Sequence, residues 1–328
     1  MSERRYDPTV GEWRAITNAT ATANRPDSER ADVPAPCALC QIFDPGSEVD
    51  VPRKGYRFAV VADVIDPPSA KVPATALQPV APALGVSETV VYTDRHEESL
   101  SSLDVPHLAR LVDVWADRYA SIGAREDVAY VFMFEQRSSS TGPPGAPAHP
   151  HGRIHAYRDI PPVPMRELRT AAEHRARAGT CVYCDIVAQE TASGLRVVAQ
   201  NQQFVAYVPF AARFPYEVHL ASKRHATSLL DLTDPERYDL ADLLRTVLIA
   251  YDGLFDAPPS YIMSMHQAPT GDGQWLPVSH FHIELTAPHQ SSTWMGNLAG
   301  EELGAGVFVN DSPPEVSAAQ LRAAVAPP

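Results

Sequence analysis

The feature that most limits what this chain can fold into is an internal repeat of cysteines and histidines. Cys37-x-x-Cys40-Gln41-Ile42 recurs as Cys181-x-x-Cys184-Asp185-Ile186, the only four cysteines in 328 residues. Arg95-His96-x-x-Ser99-Leu100-x-x-Leu103 recurs as Arg224-His225-x-x-Ser228-Leu229-x-x-Leu232. Each copy then carries a helical spacing of apolar residues, Leu108, Leu111, Val112, Trp115, Tyr119 in one and Leu240, Leu243, Leu244, Val247, Leu248, Tyr251 in the other. A strand-like run follows, Val128 to Phe134 and Tyr261 to Met265, and each copy closes on His-x-His, as His149-Pro150-His151 and His280-Phe281-His282. The intervals from second cysteine to histidine and on to His-x-His are 56 and 53 residues in copy one, and 41 and 55 in copy two. Five ordered elements in common mark a duplication. The boundary is expected near residue 170, giving a catalytic domain over 1–170 and a degenerate one over 171–328, with Pro161-Pro162-Val163-Pro164 as linker before a short polar helix around Arg166 to Arg177.

The repeat also directs the cysteines toward metal. Cys-x-x-Cys serves either as a metal half-site or as a redox pair, and a redox pair opens a helix beside a βαβ unit. Neither pair is set in such a pattern. Structural zinc takes four tetrahedral ligands, and Cys₂His₂ is a common set. Copy one offers Cys37, Cys40, His96 and His149; copy two offers Cys181, Cys184, His225 and His280. Two zinc sites per chain are expected.

His151 is the expected chemical residue. Alternate residues of a strand share a face, so a metal-held His149 positions His151 beside it. A nucleophilic histidine must be neutral at one nitrogen and oriented through the other, a task suited to a main-chain carbonyl. Gly152 and the Gly142-Pro143-Pro144-Gly145 loop would let backbone N–H groups approach a phosphate. Copy two keeps the spacing but continues as Ile283-Glu284, so it is expected to be structural.

A formal charge of −13 argues against a nucleic-acid polymer, which rewards a basic face, but not against a small nucleotide. Hydrophobic content of 45% and charged content of 20% describe a soluble globular chain with no apolar run long enough to span a membrane. The first residues lack an apolar h-region, so a cytoplasmic protein is expected.

From about Tyr6 to Asp311 the chain resembles the galactose-1-phosphate uridylyltransferases of the histidine-triad superfamily. The resemblance is carried by Asp7-Pro8-Thr9-Val10-Gly11-Glu12-Trp13, Asn24-Arg25-Pro26, Phe134-Glu135-Gln136 and His149-Pro150-His151-Gly152. It continues through Tyr207-Val208-Pro209-Phe210, Met265-His266-Gln267-Ala268-Pro269 and Leu298-Ala299-Gly300. It implies an α+β fold of duplicated histidine-triad-like domains, each an antiparallel sheet with helices, and a homodimer. It implies ping-pong chemistry in which His151 attacks the α-phosphorus of a nucleotide sugar, sugar 1-phosphate leaves, and a second sugar 1-phosphate takes the nucleotide. Arg25, Asp63, Gln136, Gly152 and Arg153 are the implied substrate contacts. For the second metal site the resemblance offers two patterns. One is Cys181, Cys184, His225 and His280, which mirrors copy one; the other is Glu167, His266, His280 and His282.

Substrate-facing positions depart from the family pattern. Arg153 stands where the family has Gln, Thr22 where it has an arginine, Ala62-Asp63 where it has Asn-Asp, and Gly296-Asn297 where it has a Lys-aromatic pair. A fixed cation at Arg153 suits a more highly charged leaving group. The alternatives are therefore a nucleotidyltransferase using a nucleoside triphosphate, a nucleotide-sugar phosphorylase, or a zinc-stabilised nucleotide-binding protein without catalysis.

Overall fold

In a computed structural model of the chain, residues 3–16, 37–43, 58–62, 74–82, 85–137, 149–254, 260–271, 273–287 and 300–325 are described. Two of the repeated elements set the scaffold. The apolar spacing of copy one becomes α2 (Val105–Gly123), which buries Leu108, Leu111, Val112, Trp115 and Tyr119. Its start is fixed by Asp104, whose carboxylate accepts from the His107 amide at 2.8 Å, and by a proline in the first turn. The spacing of copy two becomes α5 (Asp234–Asp252), opened by a reciprocal capping box between Thr233 and Glu236. The two helices lie against each other, tied by Arg237 to Asp113 at 3.0 Å.

Under them runs one sheet of nine strands in the order β3 (Ala59–Ala62), β5 (Val86–Val91), β7 (His151–Tyr157), β6 (Tyr130–Arg137), β11 (Tyr261–His266), β12 (His282–Thr286), β10 (Val218–Ser222), β9 (Phe204–Tyr207), β8 (Val197–Gln200). Every neighbouring pair is antiparallel. The first four strands belong to copy one and the last five to copy two. The copies join edge to edge through β6 and β11, with Met133 opposite Met265 and Phe134 opposite Ser264. Pairing these two edges leaves neither open, the usual hazard of a half-sheet. A second, three-stranded sheet combines β1 (Glu3–Asp7) with β2 (Glu12–Ile16) and β4 (Val80–Pro82).

Strand alternation splits the large sheet into two faces. Val90, Met133, Ile154, Ala156, Met263, Ile283 and Leu285 point into the main core with α2, α5 and α7 (Pro314–Val325). On the other face, α4 (Val182–Ser193) covers Val197, Val205 and Tyr207. Beside it, Leu168 and Ala171 of α3 (Pro162–Ala178) pack with Val278.

Two expectations are corrected here. Residues 162–164 of the expected linker form the first turn of α3, because a proline there gives up an amide that has no intrahelical partner anyway. Each cysteine pair does open a helix, with Cys37 capping α1 (Ala38–Gln41) and Cys181 capping α4. The sheet beside them is antiparallel throughout, so the βαβ setting of a redox pair is absent among the described residues, and the four cysteines form no disulfide. Among the same residues, no helix is long and apolar enough to cross a membrane.

Leu244 sits fully buried at the middle of α5. Leu244→Ala should lower unfolding free energy by about 2–5 kcal/mol, read as a shift of the urea midpoint at unchanged slope.

Candidate active site and metal-ligand clusters

Cys37, Cys40, His96 and His149 converge, their ligand atoms all within 4.8 Å of one another. The segment just past β5 does much of the positioning. The Thr93 carbonyl accepts from His149 Nε2 at 2.7 Å, which turns Nδ1 toward the Cys40 sulfur at 3.4 Å. His96 Nδ1 meets the same sulfur at 3.4 Å. A carbonyl on the far nitrogen is the usual device for fixing the ring of a ligating histidine. Burial lowers the His149 pKa and so favours the neutral imidazole, the form that can donate a lone pair.

Copy two repeats this geometry. Cys181, Cys184, His225 and His280 form an equally tight cluster. His280 Nε2 lies 2.9 Å from the Ser222 carbonyl, and Nδ1 faces Cys181 at 3.7 Å and Cys184 at 3.6 Å. Burial depresses the His280 pKa to about 4. Burial, and then the neighbouring Cys181 thiol, push Cys184 up to about 12. A buried thiol beside a second one needs a cation to become a thiolate, so the donor set fits a bound divalent metal. Both quartets match the soft, tetrahedral demand of zinc.

The rival quartet for copy two does not assemble as one. His280 is committed to the cysteines, while Glu167, His266 and His282 form a separate cluster, with Glu167 2.8 Å from His266 Nδ1. A further group, Glu217, His219 and Glu284, lies on the same sheet face.

His151 begins β7, half-buried, and its Nδ1 lies 2.8 Å from the His149 carbonyl. Because a carbonyl can only accept, Nδ1 carries the proton and the lone pair is on Nε2. The same main-chain bond recurs in copy two, His282 Nδ1 to the His280 carbonyl at 2.8 Å. There the outcome differs. His282 is buried, its Nε2 meets the Tyr183 hydroxyl at 3.2 Å, and Tyr183 stacks on its ring at 4.4 Å. Burial, followed by the neighbouring His266, holds its pKa well below the usual histidine range.

The remaining expected residues divide. Gly152 is buried as the second residue of β7, and Arg153 is exposed on the His151 side. Gln136 is exposed near the end of β6. Arg25 and Asp63 lie outside the described residues, as do 142–145 and Gly296-Asn297. The counterpart of Arg153, two residues after His282, is Glu284. Burial opposes its ionisation, yet His219, His266, His282 and Arg213 around it hold its pKa well below the carboxylate range. Arg213 reaches it at 2.8 Å.

Sequence reading missed Thr93, Ser222, Tyr92 and Tyr183. For the first two a signal existed, since each stands three residues before the repeated histidine, His96 or His225. Tyr92 explains Gly152: a Cβ there would collide with the Tyr92 hydroxyl and come within 2.9 Å of Cζ and 3.1 Å of the Phe134 carbonyl oxygen. Gly152→Ala should therefore lower stability by about 1–3 kcal/mol. Adding Tyr92→Phe should recover part of that loss in a double-mutant denaturation cycle; strict additivity would show that the contact is not the cause.

The comparisons with known proteins agree with this arrangement. The family described as "Galactose-1-phosphate uridyl transferase, N-terminal domain" matches residues 57–161, and its C-terminal domain matches 167–324. Galactose-1-phosphate uridylyltransferase from Thermotoga maritima is 32% identical over 326 residues, covering 98% of each chain. The enzyme of that name from Streptomyces lividans is 32% identical over 248 residues, 73% of this chain and 69% of the relative. A solved uridylyltransferase superposes with a TM-score of 0.82 at 30% identity, covering 98% of both chains. With likeness of this degree along nearly its whole length, the chain belongs to the galactose-1-phosphate uridylyltransferase family.

Proposed function

We propose that the protein is a nucleotidylyltransferase that moves a nucleoside monophosphate between a nucleotide sugar and a sugar 1-phosphate through His151. The observation that carries this reading is the half-buried placement of His151, whereas His282, which keeps the same main-chain contact, is buried beneath Tyr183. The 2.8 Å contact of His151 Nδ1 with the His149 carbonyl selects the tautomer with a nucleophilic Nε2. Nε2 attacks the α-phosphorus, the bond to the sugar 1-phosphate oxygen breaks with its electrons on the leaving phosphate, and a nucleotidyl-imidazolium remains. The Nδ1–H bond to the carbonyl strengthens as the ring becomes cationic, so it favours the adduct over the free histidine. A second sugar 1-phosphate then attacks the same phosphorus and returns the lone pair to Nε2. Arg25, Asp63, Gln136, Gly152 and Arg153 hold the substrate.

Cys37, Cys40, His96 and His149 would hold one zinc ion, and Cys181, Cys184, His225 and His280 a second. When bound it supplies a closed structural clamp and leaves the phosphoryl chemistry to the histidine. The first half, about 1–170, is the catalytic copy and 171–328 the degenerate one. The protein acts as a homodimer in the cytoplasm, on small substrates and not on nucleic acid.

One observation favours a second reading of the substrate. Arg153 is exposed on the face that carries His151, whereas copy two places a carboxylate there and pairs it with Arg213. A fixed guanidinium beside the nucleophile suits a leaving or attacking group with more charge than a sugar 1-phosphate. Pyrophosphate from a nucleoside triphosphate is such a group, and a nucleotide-sugar phosphorylase would use inorganic phosphate.

Incubation with α-³²P-labelled UTP, UDP-glucose, ADP-glucose and GDP-mannose should put acid-labile label on the protein from at least one nucleotide sugar. Label that survives His151→Ala, or none from any donor, sinks the nucleophile. Label from the triphosphate alone moves the protein to the second reading. Metal analysis should return close to two zinc per chain, and Cys40→Ser should reduce it to one while lowering the melting temperature. A wild-type value near one would remove the copy-two site.

A further inference from the structure

Under the strand that carries His151 lies a buried group of polar side chains that the chemistry above does not use. Tyr92 follows β5 and is 1% exposed. It grips the His-Pro-His-Gly segment at two points. Its amide donates to the Pro150 carbonyl at 3.1 Å, and its hydroxyl end lies directly beneath Gly152. Tyr92 is itself fixed: its carbonyl accepts from His107 Nε2 at 2.8 Å, and its ring stands edge-on to Trp115 at 5.9 Å. The glycine is therefore the complement of this tyrosine, because the strand can sit this low only if residue 152 has no side chain.

Glu135 shares this space from β6. It is 5% exposed, and its Oε1 accepts from the Tyr261 hydroxyl at 2.9 Å. Its Oε2 is buried without a hydrogen-bond partner among the described residues. The Arg137 guanidinium lies over the Tyr261 ring, 5.6 Å from its centroid, and is paired with Asp252 of α5 at 2.6 Å. A carboxylate with one oxygen unsatisfied would be costly in such a place, while the neutral acid is tolerated. Burial pushes the Glu135 pKa up to about 8, against the opposing effects of Tyr261 and Arg137. Burial, and then Glu135 itself, push the Tyr92 pKa well above its ordinary value, so both groups hold their protons near neutrality.

We infer that Tyr92 and Glu135 form a buried positioning pair that sets the height of the His151 strand, and with it the reach of Nε2 toward the phosphorus. The inference rests on the nucleotidyl-transfer reading. Neither residue touches substrate; both act through Gly152 and the main chain on either side of His151. A displacement of a fraction of an ångström at the nucleophile is enough to alter the rate, since covalent attack depends steeply on approach distance. Ionising Glu135 puts an unpaired charge beneath this strand, so the attack step should slow as pH rises past 8. Among the described residues, the charged and titratable groups facing that carboxyl are Tyr261 on β11, Tyr92 after β5 and Arg137 on its own strand, with Asp252 of α5 behind Arg137.

The test is the single-turnover rate of acid-labile labelling on the full-length, metal-loaded protein, normalised to the fraction of His151 that can be labelled, from pH 6 to 9.5. Tyr92→Phe, which removes only the hydroxyl, should slow the step on the order of tenfold with zinc content and donor KM unchanged. Glu135→Gln, neutral at every pH, should remove the alkaline fall that the wild type shows near pH 8. The same substitution should raise the melting temperature relative to wild type, by a margin that grows from pH 5 to pH 8. The sign follows from linkage: a carboxyl whose pKa rises on folding costs stability increasingly as pH climbs from its unfolded toward its folded value. A wild-type rate for Tyr92→Phe overturns the inference, and so does an alkaline limb that persists in Glu135→Gln. Should either variant fold poorly, Glu135→Ala with its melting temperature serves as the control for loss of packing alone: the same rate per labelled site as wild type overturns the positioning role. No label on the wild-type protein overturns the nucleotidyl-transfer reading itself, and the inference with it.

Discussion

Everything at the site depends on how the two nitrogens of His149 are shared. Nε2 is spent on the Thr93 carbonyl, so Nδ1 has only the thiol cluster to face. That commitment fixes the ring, and the ring fixes the peptide that follows it, whose own carbonyl then accepts from His151. His151 is thus oriented by the main chain of the residue that closes the cysteine–histidine cluster. A side-chain carboxylate could do the same work, but it would bring a negative charge next to an incoming phosphate. A carbonyl dipole gives orientation without that repulsion.

The second copy separates two features that the first combines, a cysteine–histidine cluster and an accessible second histidine. Its cluster is complete, and its His280 repeats the carbonyl–imidazole–thiol arrangement. His282 even keeps the bond from Nδ1 to the preceding histidine. What it lacks is access. Tyr183, the residue between Cys181 and Cys184 in the order Val182-Tyr183, lies over the ring and meets Nε2, where copy one has Leu39 between its cysteines. Glu284 then fills the adjacent position with a carboxylate bound by Arg213. The tautomer that makes a nucleophile survives as part of the scaffold, which shows that it is a property of the His-x-His turn and not a sign of catalysis by itself.

Much of this could be read in the residues before any coordinates. The duplication, both four-ligand clusters, the two long helices and the divergence of copy two follow from spacing that repeats, and repetition turns weak signals into strong ones. The fusion of the half-sheets could not be read, because Tyr130–Arg137 and Tyr261–His266 look like any buried strands and carry no mark of their partner. Residues 162–164 looked like a linker because prolines punctuate loops and helix starts alike. Tyr92 stayed hidden because its contact with Gly152 joins residues sixty positions apart, and a glycine in a sequence does not say what crowds it. Arg25 and Asp63 were named from the resemblance alone, and they fall outside the described residues.

The contrast between Arg153 and Glu284 follows from the same sheet. Both follow a His-x-His by two residues and so both project from the face opposite the main core. In copy two that position is buried, and a carboxylate there is tolerable only because Arg213, His219 and His266 surround it. In copy one the position is exposed, and a guanidinium there stays hydrated until a ligand arrives. An anion bound beside His151 would displace that water and gain a bidentate partner of fixed charge. The gain is larger for a group with two negative charges than for one with a single charge, at any effective dielectric. If Arg153 stabilised the bound phosphate and the covalent adduct equally, it would tighten binding without speeding the reaction. It accelerates transfer only to the extent that charge accumulates on the oxygens it touches as the bond breaks. On the proposed chemistry a pyrophosphate leaving group would accumulate more charge there than a sugar 1-phosphate, and this is the physical reason that one side chain on β7 would bear on the choice of substrate.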